Sequence, residues 1–445
     1  MRPLALQILI LIMLFLAGCE TTKSPIENKQ KAFQSKKAKN IKIFEASVGL
    51  GPCEPSIYIN PLDTNNMVVG SVINYAHTSF DGGLTWETKA LKSSLGVWGD
   101  PCVIADKDGI FYYLHLSDPE GTSWQSDKIL DRIVIQRSED GGKSWSDGNS
   151  IGLNPPKQQD KEWAATNPKT GEIYVTWTEF DKYDSENPKD KSRILFSKSN
   201  DKGTTWSKPI AINEFDGNTL DNDLTVEGAV PAVANNGNIY VAWAFNDKIY
   251  FDKSIDNGNT WLEKDIVVTE QIGGWTQKIP GIGRSNGMPV TCVDNSKGTH
   301  SGTIYVNFTD QRNGPNNTDV FITKSIDSGN SWSTPVKVNS DSTNTHQFLT
   351  WMSVDPATGF LYVIYYDRSA YNNTKTDVSM AVSYDGGHTF ESKVISESPF
   401  TPNDAVFFGD YNNINAFQGV VRPVWTSVDN YTLSIWTAII DLEKN

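Results

Sequence analysis

Ser79-Phe80-Asp81-Gly82-Gly83-Leu84-Thr85-Trp86 is the stretch on which the fold turns, because near-copies of it begin at Ser138, Ser199, Ser254, Ser325 and Ser383. Each runs Ser-x-Asp-x-Gly-x-(Thr/Ser)-Trp, with Phe390 in the last place of the sixth copy. The copies lie about 60 residues apart, so one structural unit is being repeated. Within a copy the Asp suits backbone amides, the Gly a positive φ, and the Trp a gap between sheets. The motif therefore reads as a hairpin joining the last two strands of a unit. Six copies at one spacing cannot all face one active site, so its role is structural.

Upstream of five of the copies a glycine turn opens an alternating, Tyr- and Val-rich run, as in Gly171-Glu-Ile-Tyr-Val175 and Gly237-Asn-Ile-Tyr-Val241. Such runs are strands. Repeated four-stranded units arranged radially make a β-propeller. Six motifs alone would match six blades, but strand starts near Glu54, Asp100, Glu162, Glu227, Asn286, Thr350 and Asp410 count seven. The last unit has three strands and no motif. Ile41 to Ala46 is expected to supply its fourth strand and close the ring, removing the open edges.

These motifs resemble the Asp-box, or bacterial neuraminidase repeat, of the sialidase-like propellers. The resemblance spans residues 41 onward and implies an all-β propeller whose Asp-boxes lie on the face away from the chemistry. Sialidases carry an early Arg in a Phe/Tyr-Arg-Ile-Pro motif, whereas no Arg occurs between Cys19 and Asp81. Their arginine triad is thus not reproduced. Seven blades are closer to the lyases of uronic-acid polysaccharides, the ulvan type, than to true sialidases.

Residues 1–18 read as a signal peptide, and Leu16-Ala-Gly-Cys19 resembles a bacterial lipobox. That implies an exported lipoprotein anchored through lipidated Cys19, at the cell surface or in the periplasm. Residues 19–40 read as a flexible tether and 41–445 as one propeller domain. The formal charge of −14 disfavours nucleic acid as a partner. Of the four cysteines, Cys53 and Cys102 sit at matching repeat ends, where a bridge and buried thiols are both open. A monomer is expected.

The architecture gathers on one face the loops entering inner strands and those joining second to third strands. On these loops fall Tyr411, His346, His115, Asp100, Glu162 and Asp410 as candidate catalytic groups. Only eight of the 39 basic residues are Arg, yet Arg284, Arg312 and Arg368 all fall there, as candidates to hold a carboxylate or sulfate bidentately. The alternative for each Arg is to brace its loop against a nearby acid such as Asp310 or Asp367. By resemblance to sialidases Tyr411 stands where a Tyr nucleophile would. Asp221, Asp223 and Glu227 form a carboxylate-rich stretch that could hold Ca2+, though no cofactor is required. The expectation is a carbohydrate-active enzyme of acidic oligosaccharides, acting by β-elimination at a uronic acid. Sialidase-type exo-hydrolysis and noncatalytic glycan binding are the alternatives.

Overall fold

The computed structural model describes residues 33–34, 37–47 and 51–440. The expected signal peptide, Cys19 and most of the tether lie outside them. Seven four-stranded antiparallel sheets are formed, each with its strands in radial order. In the first blade these are Ser56–Ile59, Met67–Ser71, Tyr75–Ser79 and Glu87–Ala90. Burial follows the radial order. The second strand of the third blade, Ile173–Phe180, is buried at every position, whereas the outer strand Glu87–Ala90 is mostly exposed. Faces sandwiched between neighbouring blades explain why the second strands are near-continuous runs of Val, Ile, Tyr and Trp.

The N-terminal strand closes the ring. Lys39–Ser47 pairs antiparallel with Thr432–Ile439, from Lys39 opposite Ile439 to Ser47 opposite Thr432. It completes the closing blade with Asn413–Phe417 and Val420–Asp429. The strand starts at Lys39 rather than Ile41, since ladder bonds need no apolar side chain. Asn40 also donates from Nδ2 to the Ile395 carbonyl of the sixth blade at 2.8 Å.

Each Asp-box sits at the end of a third strand, away from the ends where inner strands begin. In the first, Ser79 Oγ donates to Asp81 Oδ1 at 2.9 Å and accepts the Gly83 amide at 2.9 Å. Asp81 further accepts the Leu84 and Thr85 amides and the Thr85 hydroxyl. These bonds satisfy the loop internally. The box aromatic then packs on the preceding blade, as Trp261 does on Phe196 and Trp332 on Phe251, with ring centroids 4.9 and 5.0 Å apart. Gly258, at φ 75°, admits that neighbour: a Cβ there would lie 2.4 Å from the Phe196 ring. The closing blade instead sends Arg422 to the Gly82 carbonyl of the first box at 2.8 Å. Cys53 and Cys102 are buried and are not joined by a disulfide, so the bridge left open by the sequence is not formed.

Candidate functional site

Inner strands begin at the channel mouth opposite the boxes, and three of them are irregular there. Pairing jumps from Asp160 to Trp163 in the third blade, from Glu227 to Val230 in the fourth, and from Phe348 to Trp351 in the sixth. Bulges of this kind re-aim side chains. Glu54, Asp100, Lys161 and Asp221 all have positive φ, between 48° and 53°. Each costs on the order of 1 kcal/mol, and such strain is concentrated at functional sites. Around the same mouth lies a cavity of about 130 Å³, bordered by Glu54, Asp100, Asp160, Lys161, Arg284 and Asp410. Trp98, Trp124, Tyr183 and Phe407 also line it, with Val72, Ile73, Leu116 and Leu130.

Charge is arranged as a chain across the mouth. Lys161 Nζ lies 2.7 Å from Asp410 Oδ2 and 3.2 Å from Asp100 Oδ2. Arg284 spans Asp410 Oδ2 at 2.6 Å and Asp221 Oδ2 at 2.7 Å. Asp221 also accepts Trp275 Nε1 at 2.9 Å and the Tyr183 hydroxyl at 3.1 Å. Glu54 Oε1 accepts the Asp410 amide at 2.9 Å. Desolvation would discharge Lys161, but Asp100 and Asp410 hold its pKa well above the usual value.

The carboxyl groups are driven apart in protonation. Burial lifts Asp160 to about 7, against the pull of Lys161. Burial would raise Asp221 too, yet the Arg284 and Lys161 charges hold it below its ordinary value. Glu227 is raised by burial and by the Asp221 charge. Burial, reinforced by Asp100, likewise lifts Glu54 and Glu162. The mouth thus sets acids with raised affinity for a proton, Asp160 and Glu54, near Asp221, whose affinity is lowered, the arrangement that acid–base catalysis needs.

An aromatic cluster follows Asp410 in the closing blade. Tyr411 is 3% exposed and lies against Trp163 and Trp351, at centroid distances of 5.0 and 6.2 Å. Its hydroxyl donates to the Pro101 carbonyl at 3.3 Å, and burial, with the Glu54 charge, raises its pKa. The inner strands surround a channel space of about 470 Å³, which Trp163 and Trp351 help to line.

The structure brings together Asp100, Asp410 and Arg284, with Tyr411 following Asp410 in the chain. Glu162 is fully buried beside the site, and neither of its carboxyl oxygens bonds another described residue. The other candidates lie apart from the cavity wall. His115 is inside the second strand of its blade, with Nδ1 2.7 Å from the Leu116 carbonyl oxygen, and burial lowers its pKa to about 4. His346 contacts Thr318 Oγ1 at 3.0 Å, and burial with the Arg368 charge lowers it to about 4. Arg312 folds back on Asp310, Nε to Oδ2 at 2.8 Å, bracing its loop. Arg368 is buried over Phe348 and donates to Thr376 Oγ1 and the Pro280 carbonyl. Asp223 accepts the Thr276 amide at 2.7 Å. Among the described residues no three His, Cys, Asp or Glu side chains converge as a metal-holding group. Asp221 faces Arg284 instead.

Sequence reasoning missed Lys161, Asp160 and Tyr183. A signal existed for the first two: Gln158-Gln-Asp-Lys-Glu162 is a polar run where an inner strand should alternate, and such local conflict marks functional positions.

No family model and no curated protein sequence matches the chain. Among solved structures it is similar to a polysaccharide lyase, an ulvan lyase bound to -[GlcA(1-4)Rha3S]-, with a TM-score of 0.55 and 13% identity over 89% of this chain and 95% of that one. It is also similar to the NanB sialidase of Streptococcus pneumoniae, with a TM-score of 0.50 and 10% identity over 87% and 83% of the two chains. A protein of unknown function from Dyadobacter fermentans DSM 18053 gives a TM-score of 0.50 and 15% identity over 77% and 98%. The chain has the sialidase-like β-propeller fold.

Proposed function

We propose that the protein cleaves glycosidic bonds at the cavity over the channel mouth, by hydrolysis. The observation that carries this reading is the split in protonation among carboxyl groups of one site, with Asp160 held at about 7 and Asp221 held low. Asp160 would give its proton to the departing glycosidic oxygen. Asp100, also on the cavity wall, would take the proton of the attacking water. Arg284 and Lys161 together hold Asp221 below its ordinary value. Trp124, exposed and stacked on Tyr183 at 5.7 Å, offers a sugar ring a flat face at the rim. Similarity in fold to a polysaccharide lyase and a sialidase supports a saccharide substrate.

A second reading is elimination at a uronic acid, and one observation favours it. Lys161 and Arg284 both reach Asp410 Oδ2, forming a cationic pair beside which a uronate carboxylate would be neutralised. It stands second because the histidines and two of the three arginines that sequence reading assigned to it lie apart from the cavity. A panel of neutral and uronate-containing oligosaccharides decides between them. New reducing ends without an unsaturated, ultraviolet-absorbing product support hydrolysis. An absorbing product supports elimination. Retention of glycans with no product from any of them overturns both and leaves a binding propeller. The reading also keeps the protein exported and anchored through Cys19, as its lipobox-like sequence implies.

A further inference from the structure

The segment between the sixth blade's outer strand, Glu391–Val394, and the closing blade's inner strand, Asn413–Phe417, separates two concavities. On one side Phe407 and Asp410 line the cavity described above. On the other, Phe400, Asn403 and Asp404 line a groove of about 1480 Å³ that reaches along the closing blade to Trp425 and Trp436. The loop entering the fifth blade is shared in the same way, with Gly281 bordering the groove and Arg284 the cavity. One layer of loop divides them. Arg368 braces that layer: it holds the Pro280 carbonyl at 2.8 Å and Thr376 Oγ1 at 3.0 Å, and Thr376 pairs with Phe400 through two backbone bonds.

We propose that this groove binds the extension of a neutral saccharide polymer whose cleaved linkage occupies the cavity, an inference that rests on the cleavage reading. Size is the first argument. The cavity has room for only a few waters, well short of the several hundred Å³ of ordinary small-molecule sites, so a longer substrate must continue outside it. The adjoining groove exceeds that range. Chemistry is the second argument. The half-buried Trp436 indole is fixed by its Nε1 donating to Ser434 Oγ at 2.8 Å. Around it stand hydroxyl and amide groups, Ser427, Asn430 and Asn403, suited to a ligand rich in hydroxyls. Charge is the third. Among the described residues Lys42 is the one cation on the groove wall, bonded to Glu45 at 2.6 Å with its Nζ 5.3 Å from the centre of one face of Trp436, while Asp404, Glu397 and Asp429 add negative charge. A polyanion would be repelled there.

The test is calorimetric titration of the full chain with neutral gluco-, manno- and xylo-oligosaccharides of increasing length, comparing wild type with Trp436→Ala and the milder Asn430→Ala. The expected result is affinity that rises with length in the wild type. Trp436→Ala should then bind long oligomers roughly fivefold to tenfold more weakly and the shortest unchanged. Variants that bind the whole series like wild type overturn the groove, while turnover on the oligosaccharide panel judges the cavity separately. Equal weakening at every length also overturns it, because the effect then comes through the fold. No binding of any neutral series overturns it even if a uronate oligosaccharide is cleaved, and in that case the cavity reading survives alone.

Discussion

Lys161 Nζ lies 2.7 Å from Asp410 Oδ2, joining the third blade to the closing blade across the mouth of the central channel. Both side chains are almost wholly buried, at 5% and 0% exposure, so neither charge has water to fall back on. Removing one partner leaves the other only its second ion partner, Arg284 for Asp410 and Asp100 for Lys161. Lys161→Met is expected to lower unfolding free energy by about 3–5 kcal/mol, and the double variant with Asp410→Asn by less than the sum of the two single changes. Denaturant titration of the three variants checks this, and strict additivity would show that the pair is not coupled.

Asp160→Asn removes the proposed proton donor without removing a charge pair. Turnover should fall about 10²- to 10⁴-fold with no loss of thermal stability, since Asn carries no charge for burial to penalise. In the wild type, activity should decline above a pH of about 7, as Asp160 loses its proton. A wild-type profile flat through that range would assign the donor elsewhere.

Glu162→Gln tests the buried acid. The folded protein holds the Glu162 proton more tightly than the unfolded chain does, because burial and Asp100 penalise the charged form. Stability from this group is therefore present at low pH and is lost as pH rises from about 4.3, the unfolded value, toward the folded one. The variant should match wild type near pH 4 and melt at progressively higher temperature than wild type as pH increases. A difference in melting temperature that does not grow with pH would contradict the burial argument.

Ser79→Ala breaks the first Asp-box at its buried pivot, leaving the Gly83 amide and Asp81 without their shared partner. A loss of about 1–2 kcal/mol is expected, with turnover per folded molecule unchanged, since the boxes lie at the opposite end of the blades. A large change in KM would place the box in communication with the cavity.

Cys19→Ser should move the protein from the membrane fraction to the soluble fraction of the producing cell and abolish incorporation of labelled fatty acid. Unchanged partitioning would remove the lipoprotein expectation.

The amino-acid sequence by itself determined the propeller, its seven blades and its closing strand. The physical reason is that a box is satisfied by hydrogen bonds within eight residues, as Ser79, Asp81, Gly83 and Thr85 show, and that alternation within a strand is equally local. The candidate face was legible too, because strand direction alone separates the box end from the end holding Asp100 and Asp410. Which polar side chains meet there was decided only by the tertiary structure. Arg284 and Arg312 look alike as loop arginines, yet Arg312 is captured by Asp310 two residues away, while Arg284 finds Asp221 and Asp410 on other blades. A one-residue slip of register between Asp160 and Trp163 put Lys161 at the centre. Closing the ring then brought Asp410 to it, and the burial that follows moves the carboxyl groups away from their ordinary protonation, a collective effect with no local signature in the chain.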